Sequence, residues 1–228
     1  FELPPDTEAI NPYHAVKCLY DRLPENKITT TGSGSIAIIV NQLVNIKKND
    51  VFIWSGHGDM GTDLPMSIGS HLADPSKAYV LFTSEGTLQF NIQELQTIVH
   101  HKLPIKIIVF NNASYGAIEI TQKTFFGSTF GVDKASGLSF PDTGKIAGAY
   151  GIQYMSVHEK ADLEDAIDRF TKTTGPVIFD IFVCIQTRVP KLSSRKNDDG
   201  SFTSLPFEDM EPFLSRDEFS AEMIVQPI

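Results

Sequence analysis

The chain has 228 residues, 41% of them hydrophobic, which suits one large domain or one domain with an extension. Its formal net charge of -9 argues against nucleic acid or an anionic membrane as the main partner, because both are held by basic patches. The sequence has no signal-peptide pattern and no membrane-length apolar run, and Cys18 and Cys184 have neither metal nor redox spacing. The expected setting is therefore cytoplasmic, with two reduced, buried thiols.

In chain order, a helix is expected over Pro12–Leu23, a strand over Lys27–Thr31, a helix over Ile36–Val44 and a strand over Val51–Trp54. Next come a helix over Leu64–Leu72, a strand over Tyr79–Thr83, a helix over Ile92–His101 and a strand over Ile105–Asn111. The last part of the pattern is a helix over Thr143–Tyr150, a strand over Gln153–Ser156, a helix over Ala161–Thr171 and a strand over Pro176–Cys184. Short apolar strands alternating with amphipathic helices predict βαβ units, hence an α/β fold with a doubly wound, mostly parallel sheet and helices on both faces.

Local signals refine this pattern. Asn91 with Glu94 has the spacing of a capping box, and Gly151 falls where a helix-ending glycine belongs. His100 and His101 are adjacent on a helix and are not expected to share a face. The acidic run from Asp162 to Asp165 suits the first turns of a helix, and Asp198-Asp199-Gly200 reads as a turn. After about Val189 the chain is polar and turn-rich, and hydrophobes (Phe207, Met210, Phe213, Leu214, Phe219, Met223, Ile224) return beyond Pro206. Residues 1–188 are expected to form the main domain, and residues 189–228 an arm that packs on the domain or on a partner. Because the chain starts at Phe1 rather than Met, it is expected to belong to a longer polypeptide.

Three stretches carry chemistry. Thr30-Thr31-Gly32-Ser33-Gly34-Ser35 joins a strand to a helix, where glycines admit a ligand and free N–H groups face a phosphate. By itself such a stretch is more often just a turn. Ser55-Gly56-His57-Gly58-Asp59-Met60-Gly61 is a second glycine-rich turn, either a tight loop or a backbone cradle with Met60 as an apolar prop. His57 reads as a solvated loop histidine. Ser84-Glu85-Gly86 and Asn111-Asn112 end two successive strands, placing a carboxylate and a carboxamide at the carboxyl edge of the sheet. Such oxygens suit Mg²⁺ on a diphosphate, although a helix cap and an Asn-Asn turn would use the same residues.

The run from Ser84-Glu85-Gly86-Thr87 through Leu103-Pro104-Ile105 to Asn111-Asn112 resembles the thiamine-diphosphate motif of acetolactate-synthase-like enzymes, in which Gly-Asp-Gly is followed by Asn-Asn. The resemblance covers roughly residues 12 to 186 and is to their C-terminal diphosphate-binding (PP) domain. Gln93-Glu94-Leu95-Gln96-Thr97 and the tail from Leu205 to Leu214 are similar to a branch encoded with bacterial surface-polysaccharide genes. The resemblance implies Mg²⁺ ligands at Glu85, Asn112 and the Ser114 carbonyl. It also implies cofactor contacts from Gly34, Ser35, Gly86 and Thr87 to the diphosphate, from Met60 to the bent cofactor, and from the Gly58 carbonyl to the aminopyrimidine.

The chemistry implied is the cofactor's own: addition to a 2-oxo acid, loss of CO₂ and transfer of the remaining carbon unit. No catalytic residue is expected in this chain, because the activating glutamate of the family lies on a pyrimidine-binding (PYR) domain of another subunit. FAD is implied only through a middle domain that this stretch does not contain. The implied assembly is a homodimer or homotetramer with half of each site on each partner. Three residues depart from the motif: Ser84 for glycine, Glu85 for aspartate and Asp63 for the glycine before Leu-Pro. These departures keep open a scaffold protein that has lost the metal; a small chain of a split 2-oxo-acid decarboxylase is a further alternative.

Overall fold

A computed structural model describes residues 9–184, 194–206, 208–210 and 213–224. Six parallel strands form one sheet: β1 (Lys27–Thr31), β2 (Val51–Trp54), β3 (Ala78–Ser84), β4 (Ile105–Asn111), β5 (Gln153–Val157) and β6 (Val177–Phe182). Their spatial order is β2-β1-β3-β4-β6-β5, all in parallel register. The helices between them are α1 (Pro12–Arg22), α2 (Gly34–Leu43), α3 (Asp63–Ala73), α4 (Glu85–Leu88), α5 (Glu94–His100), α6 (Gly116–Phe126), α7 (Thr143–Tyr150) and α8 (Leu163–Thr171). Beyond the sheet lie a hairpin, β7 (Ser194–Lys196) with β8 (Phe202–Ser204), and α9 (Arg216–Glu222). The doubly wound α/β fold expected from the sequence is the fold observed.

Alternation along the central strands explains the two layers. Val80 and Phe82 of β3, Ile108 and Phe110 of β4, and Val177, Phe179 and Ile181 of β6 join α1, α2 and α8 in one core. Tyr79, Leu81, Ile105, Ile107, Val109 and Ile178 point the other way and join α3, α5 and α7. Strands buried on both faces must be apolar throughout, so Ile105 to Phe110 read as one hydrophobic run interrupted by Lys106. Lys106 is tolerated because its ammonium reaches the Phe170 and Thr173 carbonyls at 3.0 Å, at the end of α8.

The bounds of β1, β2, β4 and α7 are those the sequence predicts. Gly151 ends α7 at φ 69°, as expected. Other expectations are corrected. Asn91 caps no helix: it lies in a 3-10 turn, and its amide donates instead to the Gly61 carbonyl at 2.7 Å. His100 and His101 meet edge-on with ring centroids 4.8 Å apart, because His101 is already the cap residue that leaves α5. Helix α6 was not anticipated. Part of the polar tract after Val189 is the β7–β8 hairpin, with Asp198-Asp199-Gly200 as its turn, and Phe202 packs edge-on against Phe125 of α6 at 4.9 Å. In the arm Phe219 is buried while Phe213, Leu214 and Ile224 are exposed. The boundary at 188/189 and Phe207 lie outside the described residues.

Candidate cofactor site

Strand order sets the site. The chain moves from β1 outward to β2 and then returns to the other side of β1 for β3, so a topological switch point lies between β1 and β3. Ligands of open α/β sheets bind at such points, outside the carboxyl ends of the strands. All four glycine-rich or polar turns singled out in the sequence follow the neighbouring strands β2, β1, β3 and β4. The fold therefore brings them together on one edge.

After β1, Gly34 takes φ 83° and opens α2. That conformation is natural to glycine, and it turns the chain sharply from strand to helix. Ser33 makes no side-chain cap bond at α2; α3, α4, α5, α6 and α8 likewise lack one, while α1, α7 and α9 are capped by Asn11, Asp142 and Ser215. The first-turn amides of α2 are thus left for another acceptor. The buried hydroxyls of Thr31 and Ser35 have no hydrogen-bond partner among the described residues, which is uncommon for buried oxygens. The Trp54 indole donates to the Gly32 carbonyl at 2.8 Å, tying the end of β2 to this loop.

In the turn after β2, Gly58 is exposed at φ 74° and Met60 is half-buried. His57 is exposed, with its Nδ1 2.7 Å from the Ser55 carbonyl. Asp63, at the start of α3, is fully buried beneath this region: a Cβ on Gly32 would lie 2.9 Å from its Cβ. Burial pushes Asp63 up toward its neutral form, opposed by the Thr83 hydroxyl and the Leu64 amide.

Glu85 follows β3 directly and is 1% exposed. Its Oε1 accepts from the backbone N–H of Asn112 at 3.3 Å and of Ser114 at 3.1 Å, clamping the turn after β4 onto the end of β3. Its Oε2 is buried with no partner among the described residues. Burial, with a smaller contribution from the Asp180 charge and against the backbone amides, raises the Glu85 carboxyl to about 8. Ser84, the other departure beside it, donates to Thr87 Oγ1 at 3.0 Å across the first turn of α4. Gly86 is required by a neighbour: a Cβ there would meet the Tyr115 ring at 2.5 Å.

The two asparagines divide the work. Asn111 Nδ2 donates to Asp180 at 3.4 Å, and its Oδ1 accepts from the Ala113 amide at 3.1 Å. Asn112 instead lines a cleft of about 580 Å³ with Ser114, Glu119, Asp133 and Cys184, between the ends of β4 and β6. Ala113 between them takes φ 54°, a left-handed conformation that costs a non-glycine residue roughly 1–2 kcal/mol. This turn lets the amides on both sides of Ala113 reach Glu85.

Two parts of the site were not read from sequence. Glu119, 7% exposed on α6, holds the Ser114 hydroxyl at 2.6 Å and pairs with Lys123. Burial alone would raise its carboxyl, but Lys123 and Ser114 hold it below the ordinary glutamate value. The spacing of Glu119 and Lys123 is an i,i+4 pair, the signal that could have revealed both residues and their helix. Asp180, 1% exposed, accepts from the Tyr154 hydroxyl at 3.1 Å, and burial pushes its carboxyl up. Elsewhere His14, Cys18 and Glu164 bring ligand atoms within 4.8 Å of one another, but Arg22 holds Glu164 Oε2 at 2.6 Å. Neither Cys18 nor Cys184 is in a disulfide, and no helix among the described residues is long and apolar enough to cross a membrane.

The residues fit a metal-bound diphosphate. Glu85 and Asn112 offer hard oxygen donors on the edge that holds the start of α2, and among the described residues the buried oxygens of Thr31, Ser35 and Glu85 Oε2 on this edge, like those of several neighbours, have no partner. Residues 32–181 match the family model for the C-terminal TPP-binding domain of thiamine pyrophosphate enzymes. The chain is 35% identical over 189 residues to the chloroplastic acetolactate synthase of Arabidopsis thaliana, covering 80% of this chain and 28% of that protein. It is 29% identical over 169 residues to the acetolactate synthase isozyme 2 large subunit of Escherichia coli K12, covering 74% and 30%. It is also 30% identical over 160 residues to the acetolactate synthase large subunit of Porphyra purpurea, covering 70% and 27%. The chain thus spans less than a third of the length of these curated relatives.

Proposed function

Because the chain belongs to the thiamine pyrophosphate enzymes as their C-terminal TPP-binding domain, homologous to acetolactate synthase large subunits, we propose that it supplies the diphosphate-and-Mg²⁺ half of an intersubunit active site. The protein it serves is a 2-oxo-acid decarboxylase or carboligase of acetolactate synthase type. The other half comes from a PYR domain on a second subunit of a homodimer or homotetramer. Thiamine diphosphate, when bound, supplies the nucleophilic carbon and the electron sink for decarboxylation of the 2-oxo acid.

The chain's own residues bind and orient. Glu85 Oε2, the Asn112 carboxamide oxygen and the Ser114 carbonyl would hold Mg²⁺, which takes oxygen ligands and usually keeps one or two carboxylates. The first-turn amides of α2, starting at Gly34 and Ser35, would take the diphosphate from one side, and Gly86 and Thr87 would flank it from the other. Met60 would support the bent cofactor, and the Gly58 carbonyl would accept from its aminopyrimidine. No general acid or base is assigned to this chain. Placement in the polysaccharide-gene branch rests on the Gln93-Glu94-Leu95-Gln96-Thr97 run and on the tail from Leu205 to Leu214.

One observation carries this proposal: a buried Glu85 whose Oε2 lacks a partner among the described residues while its Oε1 accepts from the amides of Asn112 and Ser114. An unpaired buried carboxylate is costly unless it takes up a proton or a cation, and a cation lets Glu85 keep its charge. Ser84 and Asp63 give the scaffold alternative little support, since the first only ties its helix and burial pushes the second up, away from its charged form. Calorimetric titration of the protein with its PYR domain tests the proposal. Thiamine diphosphate should bind only with Mg²⁺ in the wild type and not bind in Glu85→Ala. Binding that ignores Mg²⁺ or the substitution would move the metal elsewhere.

A further inference from the structure

We infer that Glu119 is a positioning residue that sets which face of the Asn112 carboxamide points to the metal, an inference that rests on the metal site proposed above. Glu119, paired with Lys123, is a carboxylate and can only accept hydrogen bonds. Its Oε2 lies 2.6 Å from the Ser114 hydroxyl, so the single hydroxyl proton must point to Glu119. Asn112 lies 2.6 Å from the same hydroxyl on its other side. With its proton committed, Ser114 Oγ can only accept there, and only the amide nitrogen of Asn112 can donate. The carboxamide oxygen is thereby turned away from Ser114 and left free as a ligand.

Donor and acceptor chemistry alone fixes this orientation of the amide. Both oxygens of Glu119 are engaged, one by Ser114 and one by Lys123, so it is not itself placed to bind a cation. Without the carboxylate, Ser114 could give its proton to the Asn112 oxygen. The amide would then turn over and offer NH₂ to the metal, which cannot ligate it. Partners that orient a ligand in this way typically contribute 10–100-fold to metal affinity.

The test uses the protein with its PYR domain, titrated with Mg²⁺ in the presence of thiamine diphosphate. Glu119→Gln keeps shape but can donate to Ser114 and release its proton. It should weaken Mg²⁺ binding about 10–100-fold while cofactor affinity recovers at saturating Mg²⁺. In a Ser114→Ala background the same Glu119→Gln change should have no further effect, because the relay is already cut. A merely structural role for Glu119 would weaken binding equally in both backgrounds, and that result overturns the inference. So does unchanged Mg²⁺ affinity in Glu119→Gln when Glu85→Ala abolishes binding. Absence of Mg²⁺-dependent binding in the wild type would instead overturn the metal site itself.

Discussion

Glu85 is held in a place where its charge is poorly solvated. Burial raises its carboxyl to about 8 from an ordinary value of 4.5, so between those values the folded chain holds a proton that the unfolded chain has lost. The folded state binds more protons there, and metal-free stability must fall as pH rises across that window. Asp63 and Asp180 are also pushed up by burial and add to the same slope. Urea unfolding with a chelator, between about pH 5 and about pH 9, should show a falling midpoint in the wild type and a flatter one in Glu85→Gln. A slope unchanged by the substitution would mean Glu85 is ionised in the fold. The spacing from Glu85 to Asn112 was legible because it is carried by residue identity. The relay through Ser114 and Glu119 was not, since it depends on where a turn with a left-handed Ala113 delivers two side chains.

Among elements, the strands were easier to read than the helices that finish the site. A fully buried parallel strand must be apolar over its whole length, which is why β4 was predicted with its observed bounds. Helix α6 follows Tyr115, which makes no side-chain cap bond, and contains Ile118, Ile120, Thr121 and Thr124, residues of modest helix propensity. Packing and the Glu119–Lys123 pair support it instead. At the other end of the sheet, Lys27 of β1 and Asp50 before β2 form an ion pair at 2.6 Å with side chains only 3% and 4% exposed. Burial alone would raise Asp50, but Lys27 and the backbone amides of Lys27 and Lys47 hold it below the ordinary aspartate value. Lys27→Met should therefore cost about 3–5 kcal/mol, read as a lower urea midpoint, because it strands a buried carboxylate. A loss under ~1 kcal/mol would mean that water reaches Asp50.

At the scale of the whole molecule, the sheet brings oxygen-bearing side chains and an uncapped helix start to one edge, where we propose that the metal and diphosphate are held. Topology was legible from alternating strand and helix patterns, and it placed four separate turns on neighbouring strand ends. Sequence could not show that the cleft beside Asn112 is lined by the ends of both β4 and β6, because that depends on the strand order. The 228-residue chain by itself is predicted to show no carboligase activity on pyruvate, and adding a PYR domain should restore it. Activity of the isolated chain would contradict an intersubunit site. The most direct test of the central claim is calorimetric titration of the PYR-containing protein with thiamine diphosphate, with Mg²⁺ and then with chelator. The account predicts saturable binding that requires Mg²⁺ and is lost in Glu85→Ala. Binding that persists with chelator, or in Glu85→Ala, would contradict it.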